Sequence, residues 1–110
     1  MSDAVPLQVG VDELDRWRRG VQPVAILDVR EPWEREICAL PDSIDIPMAE
    51  LPERVGELPT DRTLVVVCHH GMRSLQVTRW LRAHGHALAC NLQGGIDAWA
   101  SQIDDAMKRY

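Results

Sequence analysis

Residues 68 to 74 read Cys-His-His-Gly-Met-Arg-Ser and follow directly on the apolar run Leu64-Val65-Val66-Val67. A buried strand ordinarily passes into a turn of Gly, Asn, Asp or Pro, residues chosen for backbone conformation. This turn is instead made of groups that can do chemistry. Cys68 stands last before a predicted helix whose first N–H groups have no intrahelical partners. Its sulfur is therefore expected where backbone donors and the positive helix end converge. Such surroundings favour the thiolate, the nucleophilic form of cysteine. Gly71 allows a tight curl in which successive N–H groups point inward as an anion-binding nest. Arg73 adds a planar fork of donors suited to sulfate-like or phosphate-like groups, and Ser74 can cap the helix or donate toward the sulfur. Free cysteine is otherwise often a small buried hydrophobe. That description suits Cys90, inside an apolar strand, better than it suits Cys68.

A nucleophilic cysteine in an anion cradle serves two reactions. One is phosphate-ester hydrolysis through a cysteinyl phosphate; the other is sulfur transfer through a cysteine persulfide. A zinc site at Cys68, His69 and His70 would need a further ligand and finger-like spacing, and neither is visible.

The flanking periodicity says what positions the turn. Short apolar runs alternate with helical spacing, the pattern of an α/β domain. Strands are expected at Leu7 to Val9, Val24 to Val29, Ser43 to Ile46, Thr63 to Val67 and Ala87 to Asn91. Asp12 is a candidate N-cap for a helix carrying Val11, Leu14 and Trp17 and ended by Gly20. Pro32 opens a short helix, Pro-Trp-Glu-Arg-Glu-Ile. Leu51, Val55 and Leu58 suggest another with Pro52 in its first turn, a fourth runs from about Arg73 to His84, and Ile96, Trp99, Ala100 and Ile103 mark the last, after Gly94-Gly95. Strands joined through helices lie parallel, with helices on both faces of the sheet. Ligands then bind beyond the carboxyl ends of the strands, where Cys68 stands.

With 110 residues, 45% of them hydrophobic and 26% charged, the chain is expected to form one domain over residues 1–110, with its core at about 7–103. The start lacks the basic and apolar stretches of a signal peptide, and no apolar run approaches the ~20 residues of a membrane span. Three cysteines without an export signal fit thiols in a reducing cytoplasm. The net charge of −5 argues against a nucleic-acid partner. Charge is nonetheless uneven: from Arg62 through Ile96 there is no Asp or Glu, while Arg62, Arg73, Arg79, Arg82, His69, His70, His84 and His86 fall inside that window.

Four residues separate Cys68 from Arg73, and the turn resembles the active-site loop of the rhodanese superfamily, Cys-x-x-Gly-x-Arg-Ser/Thr. Related dual-specificity phosphatases and arsenate reductases carry five. Leu-Asp-Val-Arg-Glu-Pro at 27 to 32, Ile-Asp-Ile-Pro at 44 to 47 and Gly-Gly-Ile-Asp-Ala-Trp at 94 to 99 resemble further family segments in the same order. The resemblance implies a rhodanese-like fold, a small parallel sheet of about five strands. It also implies a sulfurtransferase in which Cys68 takes sulfane sulfur from thiosulfate or a low-molecular persulfide and gives it to cyanide or a thiol, the loop His69, His70, Gly71, Met72, Arg73 and Ser74 binding the substrate. Asp28 and Arg30 would orient the loops, and no metal or organic cofactor is needed. A persulfide carrier serving a partner protein is the alternative; a phosphatase or arsenate reductase is opposed by the loop length, and a noncatalytic scaffold by the cysteine. The family's Gly-His-Ile-Pro-Gly-Ala is replaced by Cys38, Ala39, Leu40, Pro41, Asp42 and Ser43, which implies a different local backbone. Cys38 is then either a buried substitute for glycine or a second thiol.

Overall fold

The computed structural model describes residues 5–21 and 23–110. Five parallel strands form one sheet: β1 (Gln8–Val9), β2 (Val24–Asp28), β3 (Ile44–Asp45), β4 (Thr63–Val67) and β5 (Ala89–Leu92), in the spatial order β1-β5-β4-β2-β3. Five α-helices connect or flank them: α1 (Val11–Arg19), α2 (Pro32–Ile37), α3 (Leu51–Arg54), α4 (Met72–Ala83) and α5 (Gly95–Gln102). The expected class, a small parallel α/β sheet, is the one observed. Among the described residues no helix is long and apolar enough to cross a membrane.

The valine-rich β4 is buried along its whole length and lies between β2 and β5, as a run apolar on both faces requires. Alternation along it divides the core in two. Val65 and Val67 pack with Val11 and Leu14 of α1 and Ile96 and Trp99 of α5, while Leu64, Val66 and Cys68 pack with Leu51 of α3 and Val77 and Leu81 of α4. The sulfur thus emerges on the α4 side of the sheet, fixed by the period of two.

Several expected boundaries shift. The N-cap of α1 is Gly10, not Asp12: Leu14 N–H donates to the Gly10 carbonyl at 3.2 Å, and Asp12 lies in the first turn, where a carboxylate faces the positive helix end. The single helix expected over Leu51 to Leu58 is a four-residue α-helix between two 3₁₀ turns, Met48–Glu50 and Val55–Glu57. Pro52 removes a backbone donor there, and the segment is too short to propagate a regular helix. The third strand shortens to two residues.

The segment that departs from the family pattern keeps one glycine-like feature. Asp42 has φ of 63°, in the left-handed region that its short polar side chain tolerates better than most. Cys38 is extended, at φ −161°, and has no need of glycine.

Candidate active site

Cys68 follows β4 directly, and its residue is 1% exposed. Three donors of the turn and the start of α4 lie within hydrogen-bond distance of its Sγ: Gly71 N–H at 3.1 Å, Ser74 N–H at 3.3 Å and the Ser74 hydroxyl at 3.2 Å. Gly71 makes this possible by standing at φ 98° as the N-cap of α4, a conformation costly for any residue with a Cβ. The inward N–H groups anticipated from Gly71 are thus present around the sulfur.

The outward-facing carbonyls of the same turn are held by a second helix. Ile96 N–H donates to the Cys68 carbonyl at 2.9 Å and Asp97 N–H to that of His69 at 3.1 Å. These donors belong to the first turn of α5, otherwise unpaired. Gly95 permits the approach: a Cβ there would lie 2.4 Å from the His69 oxygen and 2.5 Å from the Cys68 oxygen. One helix end serves the sulfur, and another serves the peptide that carries it.

Arg73 turns its fork onto Glu34 of α2, with Nη1 and Nη2 each 2.8 Å from a carboxylate oxygen. Glu34 is buried and also accepts from Glu31 N–H at 2.9 Å and Tyr110 Oη at 2.7 Å. Chiefly through Arg73, and against the opposing effect of burial, its carboxyl is held at about 2. Arg73 therefore braces the loop against α2, and the charge expected to attract anionic donors is partly matched by a carboxylate. Glu34 escaped the sequence reading as a partner of Arg73, although Glu31-x-x-Glu34 before an apolar turn is the spacing of a capping box, and that box is formed.

Asp28 and Arg30 form a fully buried ion pair, Arg30 Nη2 to Asp28 Oδ2 at 2.7 Å. Arg30 also donates to the Cys38 carbonyl at 2.8 Å and to Tyr110 Oη at 3.0 Å. The pair ties β2 to the segment after α2. Tyr110 completes the wall. Its ring stacks on His69 with centroids 3.8 Å apart, and His69 stacks in turn on His70 at 3.9 Å. Burial pushes the Tyr110 phenol up to about 12 and is the main cause lowering the His69 imidazole, with His70 next. His70 and Met72 are exposed, and Trp33 presents an apolar face beside Tyr110.

The remaining cysteines differ from Cys68. Cys90 is fully buried in β5, where desolvation pushes its thiol up to about 12. Cys38 is half-buried, with Arg30 Nη1 at 4.0 Å from its sulfur. Among the described residues no group of three or more His, Cys, Asp or Glu side chains is arranged to hold a metal ion.

The sequence and the fold have counterparts. The chain is 34% identical over 93 residues to a sulfurtransferase of Allochromatium vinosum, covering 84% of this chain and 87% of that one. It is 36% identical over 100 residues to the probable adenylyltransferase/sulfurtransferase MoeZ of Mycobacterium tuberculosis, covering 89% of this chain but only 26% of that longer protein. A rhodanese-like domain protein of Staphylococcus aureus superposes with a TM-score of 0.81 at 28% identity, covering 96% of this chain and 99% of the other. The family model for the rhodanese-like domain matches residues 10–102, and with that match this chain belongs to the rhodanese-like family, among relatives named as sulfurtransferases.

Proposed function

We propose that the protein transfers sulfane sulfur through a persulfide on Cys68. The observation that carries this reading is the convergence of three donors, from Gly71 and Ser74, on one sulfur at the end of β4. The Cys68 thiolate attacks the outer sulfur of thiosulfate; the S–S bond breaks, and its electron pair leaves with sulfite. Cyanide or a thiol then attacks the outer sulfur of the Cys68 persulfide and returns the thiolate. Donors aimed at the place where charge resides stabilise it without reorganisation. The residues from His69 to Ser74 form the cradle, and Asp28 and Arg30 hold its outer wall. A low-molecular persulfide is an equivalent donor. The module acts in a reducing compartment, the cytoplasm, where its three free thiols persist.

The test is to load the reduced protein with thiosulfate, remove the donor, and measure the mass of the peptide carrying Cys68. One added sulfur atom, released by cyanide as thiocyanate, is the expected result. Sulfur found only on Cys38 or Cys90 would move the nucleophile. The four-residue spacing also leaves a small cradle, so turnover of aryl phosphates should be undetectable beside transfer; robust phosphatase activity would reverse the assignment.

A further inference from the structure

Asn91 is fully buried in β5 and is not among the residues that the sequence singles out, yet its whole amide is engaged at the loop. Nδ2 donates to the Gly71 carbonyl at 3.1 Å and to Gln8 Oε1 at 3.0 Å. A backbone carbonyl can only accept, so the amide has one orientation, with Oδ1 turned to Ser74. Ser74 Oγ lies within hydrogen-bond reach of that oxygen and 3.2 Å from Cys68 Sγ. A hydroxyl carries one proton. The two acceptors therefore compete for it.

The competition changes as sulfur is loaded. In the attacking thiolate that the sulfur-carrying reading invokes, Sγ bears the charge, and a hydrogen bond to a charged acceptor is the stronger one, so the Ser74 proton serves the sulfur. On loading, the thiolate attacks the outer sulfur of a persulfide anion, the donor's S–S bond breaks, and the electron pair leaves on the donor's inner sulfur as a thiolate. Two negative charges enter and two leave, and no oxidant is consumed. The charge on Cys68 has moved one atom outward, and Sγ is now a weak acceptor. Ser74 is fully buried, and a buried hydroxyl without a good acceptor is costly.

Resting on the sulfur-carrying reading of Cys68, we propose that Asn91 is a positioning residue for sulfur loading. Its Oδ1 takes the Ser74 proton when Cys68 is persulfidated, and its Nδ2 holds the Gly71 peptide so that the loop N–H groups stay inward. The Gly71 contact acts on both states and cancels; the Ser74 contact favours the loaded one. Asn91 thus sets how readily Cys68 accepts sulfur, without touching it.

The experiment equilibrates the full chain with fixed ratios of glutathione persulfide to glutathione and reads, by intact and peptide mass, the fraction of Cys68 carrying one added sulfur. Asn91→Leu, close in size and unable to accept, should lower the loading constant roughly five- to tenfold, the value of one ordinary hydrogen bond. In a Ser74→Ala background the same substitution should change it less than twofold, whereas a purely structural role would lower the melting temperature in both backgrounds with no such coupling. Asn91→Ala is read in the same way if the leucine variant does not fold. An unchanged loading constant, or an equal fall with and without the Ser74 hydroxyl, overturns the inference while leaving Cys68 as the carrier. Absence of added sulfur from Cys68 in the unmodified protein overturns the nucleophile assignment and this inference with it.

Discussion

Arg73 and Glu34, 39 residues apart in the chain, meet through two parallel hydrogen bonds of 2.8 Å. The planar fork matches the carboxylate in a way that an ammonium cannot. The loop behind Cys68 is thereby tied to α2, the helix that follows β2 in the chain.

Loss of this tie should be read in the rate before it is read in the fold. Arg73→Ala is expected to slow sulfur transfer roughly tenfold or more, the scale of a charge-assisted hydrogen bond, and Arg73→Lys to restore only part of it. Steady-state thiosulfate:cyanide kinetics measure both. Full activity in both variants would show that the brace has no part in the reaction.

Acid should act on the same pair. The Glu34 carboxyl is held at about 2, below its ordinary value of roughly 4.3 in an unfolded chain. Its contribution to stability is therefore complete above about 4.3 and is lost as pH falls through about 2. Thermal melts between pH 6 and pH 2 should show this component in the unmodified protein, and Glu34→Gln should flatten it. Parallel melting curves for the two proteins across that range would contradict the linkage.

The three thiols should separate cleanly. Cys68→Ser is expected to keep the fold and lose transfer. Cys90→Ser should instead leave chemistry largely intact and cost about 1–3 kcal/mol, because a hydroxyl replaces a thiol in a fully buried apolar strand. Denaturant melts and the transfer assay, run side by side, distinguish them; an active Cys68→Ser protein would end the persulfide mechanism.

Gly95 is the most exacting glycine of the site. Its Cβ would press on the carbonyls of Cys68 and His69, and its φ of 63° disfavours any side chain. Gly95→Ala should cost about 2–5 kcal/mol and displace the loop, lowering activity in whatever protein remains folded. Gly56→Ala, where no heavy atom lies within 4 Å of the added carbon, is the control and should be close to neutral. Equal effects at the two positions would mean that the second helix does not support the loop.

What was legible in the sequence was local, and what was hidden came from long-range contact. Three consecutive valines and a following Cys-x-x-Gly-x-Arg-Ser announce a buried strand with a cradle at its end, because period and turn chemistry are properties of neighbours. The window from Arg62 to Ile96 is free of carboxylates in the chain, yet folding brings Glu34 to Arg73 and Asp97 to within 3.9 Å of the His70 imidazole. Asn91 could not be singled out either: an asparagine in a short strand has no periodic signature, and its partners, Gln8 on β1 and Gly71 and Ser74 at the start of α4, are far from it in the chain. Cap and strand limits moved for a smaller reason, since Gly10 and Asp12 both suit a helix start.

The insertion of β5 between β1 and β4 bears on the order in which this protein can be built. Of the five described strands, the first to be synthesised has its only described neighbour in the last, through the pairs Gln8 with Asn91 and Val9 with Leu92. This edge of the sheet must therefore wait for that last strand. Closing so long a loop is slow relative to local pairing, and the same final strand carries Asn91 while the turn after it supplies the α5 donors to the loop. A nascent chain thus holds Cys68 in a strand end without its outer supports, and the sulfur site is completed in the same step that closes the fold.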